Sequence, residues 1–285
     1  MAAAAAPGPE QIGRCFGILP RMSVSLRPRL VGVLHLPPLP GSPRARDGVG
    51  DIARAAARDA RLLAKAGFES IVVENFGDAP FFKGSVPPIT IAAMTACALA
   101  VREACPQLPI GINVLRNDGA AALAIAAAVG ATSVRINVLS GARVTDQGVI
   151  EGQAAQLLRL RRELAQPIEI WADVAVKHSA PLASRELGEE TRDLVQRALA
   201  DAVLVTGSGT GEAVDPERLR GVRAAAGPAS VYVASGATIL ALPGLAALCD
   251  GVIVGSALRA DGRAGGPIDA DAAGRFAAAF HAAFN

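Results

Sequence analysis

From Leu30 onward the chain alternates short apolar runs with longer alanine- and leucine-rich segments. The runs are LVGVLHL (30–36), SIVVENF (70–76), PIGINVL (109–115), SVRINVL (133–139), IEIWADV (168–174), AVLVTG (202–207), SVYVASG (230–236) and GVIVGSA (251–257). Their β-branched content predicts strands, and the segments between them carry helical spacing and punctuation. Asp51 is expected to cap the first helix, which stops at Gly67. Asn117 or Asp118 opens the third helix and Gly130 closes it, while Asp215-Pro216 supplies an N-cap followed by proline at the first helical position. Strands apolar on both faces, each followed by a helix, predict a parallel sheet. Eight such units in one uninterrupted run predict a single closed (β/α)8 barrel over residues 30–285, with residues 1–29 as an extended or disordered segment outside it.

Five of the runs end in polar residues: His35, Glu74, Asn113, Asn137 and Asp173. Each follows by two another residue of the same phase, namely Val33, Val72, Gly111, Arg135 and Trp171. The period-two rule therefore turns these polar groups toward the barrel axis, at the strand ends where barrels carry their chemistry. Taken singly, His35 is as well explained as a satisfied core group, and Arg135 as an ion-pair partner for Glu74 or Asp173. Five strands doing the same thing at one rim favour a polar cup. Glu74 and Asp173 are its acid/base candidates, with His35, Asn113, Asn137 and Arg135 beside them. Lys177 and His178 follow the fifth strand; Lys177 is read either as a Schiff-base nucleophile or, more simply, as a cation facing an anionic ligand.

The last three runs end in small residues instead, VTGSGTG (205–211), ASGAT (234–238) and VGSAL (254–258). Thr206, Gly207, Ser208, Gly209, Ser235, Gly236, Gly255 and Ser256 are expected to bind phosphate, since glycines admit close backbone approach and loops after the seventh and eighth barrel strands are a frequent phosphate site. This makes the fold a phosphate-binding type of barrel. GSGTG lacks the spacing of a dinucleotide fingerprint, and no P-loop motif is present.

Composition narrows the partners. The 285 residues are 51% hydrophobic with a formal net charge of +2 and no basic stripe, which points away from nucleic acid. The longest uncharged helical stretch, Ile89 to Val101, is too short to span a bilayer. Cys15, Cys97, Cys105 and Cys249 show no C-x-x-C spacing and read as buried thiols in a reducing, cytoplasmic setting. Residues 1–29 carry four arginines and one acidic residue; an organellar transit peptide is the alternative to an early start ahead of Met22. No cofactor is evident. A divalent metal at Glu74, Asp173 and His178 is an option that the spacing alone does not support.

The motifs VGVLHLPPLPGSPR, VVENFGDAPF, GINVLRND, GARVTDQGVIEG, ADVAVKH, VTGSGTG and GVIVGSALRADG resemble the BtpA/SgcQ family from about Leu30 to Asp269. The resemblance implies a family named for a protein of photosystem I biogenesis, peripherally associated with the photosynthetic membrane. It also implies relatives in bacteria and archaea without photosystems, one of them among sugar-uptake genes, and no catalytic assignment to carry over. One departure is VYVASGAT, where Ala234 stands at a position the family more usually fills with glycine. Two expectations follow. The first is an enzyme acting on a small sugar or nucleoside phosphate by acid/base chemistry, its reaction class (isomerase, lyase or hydrolase) open. The second is a non-catalytic photosystem I biogenesis factor peripherally associated with a membrane. Homo-oligomerisation stays open in both.

Overall fold

The computed structural model describes residues 27–207, 209 and 213–284. Eight parallel strands close into a barrel in the order β1 (Leu30–His35), β11 (Gly251–Val254), β10 (Ser230–Val233), β9 (Ala202–Val205), β7 (Glu169–Val174), β4 (Ser133–Ile136), β3 (Ile110–Asn113) and β2 (Ser70–Glu74). The connecting helices are α1 (Val49–Ala66), α2 (Pro88–Ala104), α3 (Gly119–Val129), α4 (Ala154–Glu163), α5 (Leu187–Gln196), α6 (Pro216–Ala226), the short α7 (Leu242–Ala246) and α8 (Ala270–Phe284). All eight predicted runs supply a barrel strand; β7 ends with its run at Val174, and the other seven end one to three residues earlier because the last residues turn into the loops.

The helix ends follow local chemistry. Asp118 caps α3 by accepting from the Ala121 amide at 2.9 Å, and Asp215 caps α6 by accepting from Glu217 at 3.0 Å. Asp51 differs from expectation. The N-cap of α1 is Gly48, and Asp51 lies inside the first turn, where its charge meets the helix dipole rather than an orphan amide.

Most of the apolar surface lies between the barrel and its helices. A second cluster fills the barrel itself: Val31, Val33, Val72, Trp171, Ala202, Leu204, Tyr232, Ala234 and Ile253. Trp171 and Tyr232 stack at its centre, with ring centroids 4.7 Å apart. Below them Glu169 accepts from Trp171 Nε1 at 2.7 Å and from Arg27 Nε at 2.9 Å, and Arg27 also reaches Ser230 Oγ at 2.9 Å. The packed barrel therefore extends N-terminally to Arg27, three residues ahead of the first apolar run. With the lower end plugged, the upper end is the open face.

The hydrophobic pattern did not foresee a three-stranded antiparallel sheet above the β4 and β7 ends, of order β6 (Gly148–Glu151), β5 (Ala142–Thr145) and β8 (Ser179–Pro181). Strands β5 and β6 form a hairpin whose two-residue turn, Asp146-Gln147, sits within the TDQG loop; Gly148 takes φ +96° to close it. Strand β8 pairs with the other edge of β5. Val138, Ile150 and Val176 form a small core beneath this sheet.

Candidate active site

Parallel register sets the site's geometry. His35 pairs with Glu74 and Glu74 with Asn113, so β1, β2 and β3 carry these residues at one height. Arg135 pairs with Trp171 across β4 and β7, which puts Asn137 and Asp173 one pleat above the Trp171 layer. All five strand-end groups face the same end of the barrel, directly over its apolar filling, as their phase predicts.

Asp173 is the most heavily bonded of them. Its carboxylate accepts from Arg135 Nε at 2.9 Å, from Arg135 Nη2 at 2.8 Å and from Asn137 Nδ2 at 3.0 Å. The Asp173 side chain is fully buried and that of Arg135 nearly so. Burial alone lowers an arginine, but Asp173 outweighs it and holds Arg135 above its ordinary range. Of the two partners the sequence left open for Arg135, the structure supplies Asp173. Asn113 extends the network by donating Nδ2 to the Arg135 carbonyl at 3.1 Å and to Asn137 Oδ1 at 3.3 Å. Its own Oδ1 is buried without a partner among the described residues.

Glu74 stands apart from this network. It is 7% exposed, and among the described residues no donor hydrogen-bonds its carboxylate. The basic nitrogen within 4.0 Å is His35 Nε2, at 3.7 Å. His35 Nδ1 accepts the Gly265 amide at 3.0 Å, which leaves the ring proton on Nε2, facing Glu74. Burial, followed by Arg259, Lys177 and Arg135, holds His35 well below its ordinary pKa, so the imidazole is neutral. Phe76 packs on it with centroids 4.4 Å apart. A Cβ on Gly255 would stand 2.8 Å from His35 Cε1, so the space that Gly255 leaves empty belongs to the imidazole.

Arg259 is a residue the strand-end pattern could not find, because it lies beyond the last strand. Its guanidinium is buried and donates to Gly255 O at 2.6 Å, Val33 O at 3.1 Å and Gly265 O at 3.2 Å. Burial pulls it down to about 10, against the opposing pull of Asp59 and Glu74. It ties the Gly255 turn to the Gly265 segment, the two pieces that hold the His35 ring.

The remaining expected groups spread along the rim. Lys177 reaches Ser235 Oγ at 3.4 Å, and its amide donates to Thr206 Oγ1 at 3.1 Å. Burial, then Arg135, lowers its ammonium pKa. Gly236 takes φ +74°, and Ser235, Gly236, Gly255 and Ser256 are half-buried around the mouth. Gly207 is buried, Gly209 half-buried, and Ser208 lies outside the described residues. His178 is exposed, at φ +55° between β7 and β8. Among the described residues no three His, Cys, Asp or Glu side chains gather as a metal site, and Asp173 already holds three donors; the set Glu74, Asp173 and His178 does not fit a resident cation. No described helix is long and apolar enough to cross a membrane.

The BtpA family profile matches residues 27–282. The chain belongs to the BtpA family. The photosystem I biogenesis protein BtpA of Synechocystis is 42% identical over 84% of this chain and 83% of its own length. An uncharacterised protein of Methanocaldococcus jannaschii is 43% identical over 86% of this chain and 92% of its own. Among solved structures, the phosphoribosyl anthranilate isomerase of Thermus thermophilus superposes with a TM-score of 0.54 at 14% identity, covering 89% of this chain and 98% of that one. That likeness is one of fold, a closed barrel of eight parallel strands, and it agrees with the eight-unit pattern. The family match begins at Arg27, the residue that plugs the barrel floor.

Proposed function

We propose that this BtpA-family barrel is an enzyme acting on a small phosphorylated metabolite, a sugar or nucleoside phosphate. In this reading the small-residue turns after β9, β10 and β11 hold the phosphate, and Glu74 exchanges a proton with the substrate. The observation that carries the reading is Glu74 itself. It is a buried carboxylate with no hydrogen-bond donor among the described residues, 3.7 Å from a neutral imidazole. A carboxylate left that way costs stability, and groups kept at such a cost cluster at reactive centres.

The other groups take roles from their bonds. Asp173 has its oxygens filled by Arg135 and Asn137, so it positions the floor of the cup rather than moving protons. Asn113, with an unpartnered Oδ1, and Asn137 orient substrate hydroxyls. His35 carries its proton on Nε2, 3.7 Å from Glu74, and donates it to the substrate beside that carboxylate. Lys177 and Ser235 join the cup to the phosphate turns. The fold neighbour named above acts, by its name, on a phosphoribosyl compound, which supports a phosphorylated ligand on this fold. Isomerisation, aldol-type cleavage and hydrolysis each need a proton moved at the reacting carbon or oxygen, the service Glu74 offers.

The test is a panel of sugar and nucleoside phosphates incubated with wild-type protein and with Glu74→Gln, read by mass spectrometry. Wild type converts at least one compound, and Glu74→Gln slows that conversion by about 10²–10⁴-fold while still binding it. Wild-type turnover in Glu74→Gln removes Glu74 from the mechanism. No conversion by wild type, together with co-sedimentation with membranes, would favour the non-catalytic role that the Synechocystis relative's name suggests.

A further inference from the structure

We infer that Arg116 forms a second anion subsite in the cup, one that takes a carboxylate at the end of the substrate opposite its phosphate. The inference rests on the phosphometabolite reading above and narrows it to phosphorylated sugar acids and their like.

Arg116 follows β3, which stands opposite β10 in the closed ring of eight strands. Its guanidinium is 6% exposed and makes one hydrogen bond, from Nη2 to the Lys177 carbonyl at 2.7 Å. Nε and Nη1 have no partner among the described residues, and neither is sealed from solvent. Lys177 donates Nζ to Ser235 Oγ at 3.4 Å. Neither cation has a carboxylate within 4.0 Å among the described residues, although both lie in the fields of Glu74 and Asp173.

The charges in the cup pair unevenly. Arg135 and Asp173 cancel as a bidentate pair, and His35 is neutral. Glu74 then stands against Arg116, Lys177 and Arg259, with Asp146 and Asp59 acting on Arg116 and Arg259 from beyond 4.0 Å, so Arg116 has no carboxylate of its own before any ligand enters. Burial lowers Arg116 even with Asp173, Glu74 and Asp146 acting against it. A sugar phosphate with an uncharged tail would place its one anionic group at the turns after β9 to β11, where Lys177 meets Ser235, and leave Arg116 unanswered. A carboxylate answers it. The open edge of a guanidinium presents two parallel N–H groups at the spacing of two carboxylate oxygens. The ligand would span from the Ser235–Gly236 turn to Arg116, with Glu74 and His35 alongside its middle.

The experiment uses matched probes that differ only in that group. They are 6-phosphogluconate against sorbitol 6-phosphate and 3-phosphoglycerate against glycerol 3-phosphate, with inorganic phosphate as reference, each titrated calorimetrically into the full-length protein. The acid of at least one pair should bind about tenfold to a hundredfold tighter than its alcohol, the span of one charge-assisted hydrogen bond. Arg116→Gln should erase that preference while keeping affinity for the alcohol and for inorganic phosphate. Arg116→Lys, which keeps the charge and loses the fork, should retain only part of it. Each preference is a ratio within one variant, so a general loss of stability does not imitate it. Equal binding of acid and alcohol in both pairs, or a preference that survives Arg116→Gln, overturns the subsite and leaves the phosphate reading intact. Failure of every probe to bind, inorganic phosphate included, overturns both.

Discussion

Asp173→Asn is the substitution whose cost the structure fixes best. The side chain has no solvent exposure, and it receives two hydrogen bonds from Arg135 and one from Asn137, at 2.8 to 3.0 Å. Asparagine keeps the shape but removes the charge, and its amide hydrogens meet an Arg135 donor in either orientation, with Asn137 added in one of them. The Arg135 guanidinium is then buried without counter-charge, a loss of about 3–5 kcal/mol. Glu74 does not repair it, because no Glu74 oxygen lies within 4.0 Å of Arg135. At roughly 2 °C per kcal/mol for a chain of this size, the melting temperature should fall by about 6–10 °C. Urea unfolding followed by far-UV circular dichroism gives the free energy directly. Glu74→Gln is the control: it removes one charge that no donor holds and should change stability by less than about 1 kcal/mol in either direction. A cost below about 1 kcal/mol for Asp173→Asn would mean that the bidentate pair does not organise the cup, and that Asp173 is free to act as an acid or base.

Two further outcomes concern His35. Its folded pKa is depressed below the ordinary 6.5, so its contribution to stability is fully present above pH 6.5 and is lost as the pH falls toward the folded value. Wild type should therefore lose stability relative to His35→Gln as pH is lowered below 6.5 in paired urea melts, and parallel curves would contradict a neutral buried imidazole. Gly255→Ala places a methyl 2.8 Å from His35 Cε1; the ring should swing away from Glu74 at a cost of about 1–2 kcal/mol, with shifted imidazole NMR resonances. Unchanged resonances would mean that the ring does not fill that space.

The barrel was legible because its signals are local. β-branched runs, helix caps at Asp118 and Asp215, and period-two phasing each depend on a few neighbouring residues, and together they put His35, Glu74, Asn113, Asn137 and Asp173 at one rim. The β5–β6–β8 sheet was not legible, since its strands are three or four residues long and largely exposed, without an apolar run to mark them. Val144 and Val149 flanking a turn that ends in glycine were the available signal. Partner choice was beyond the sequence as well. Glu74 and Asp173 share a phase, and only barrel geometry gives Arg135 to Asp173. Arg259 and Arg116 lie in loops where charge looks like ordinary surface, and burial is what distinguishes them.

The central claim is that the strand-end cup and its small-residue turns bind a phosphorylated metabolite, and thermal shift against a phosphometabolite panel tests it most directly. At a hundred times its dissociation constant a true ligand adds about 2.7 kcal/mol, a rise of roughly 5 °C in melting temperature. Gly236→Asp places a carboxylate on the half-buried β10 turn, where the phosphate would sit. A rise with wild type that disappears in Gly236→Asp is the predicted result. An equal rise in both proteins, or none with any phosphorylated compound, would contradict it.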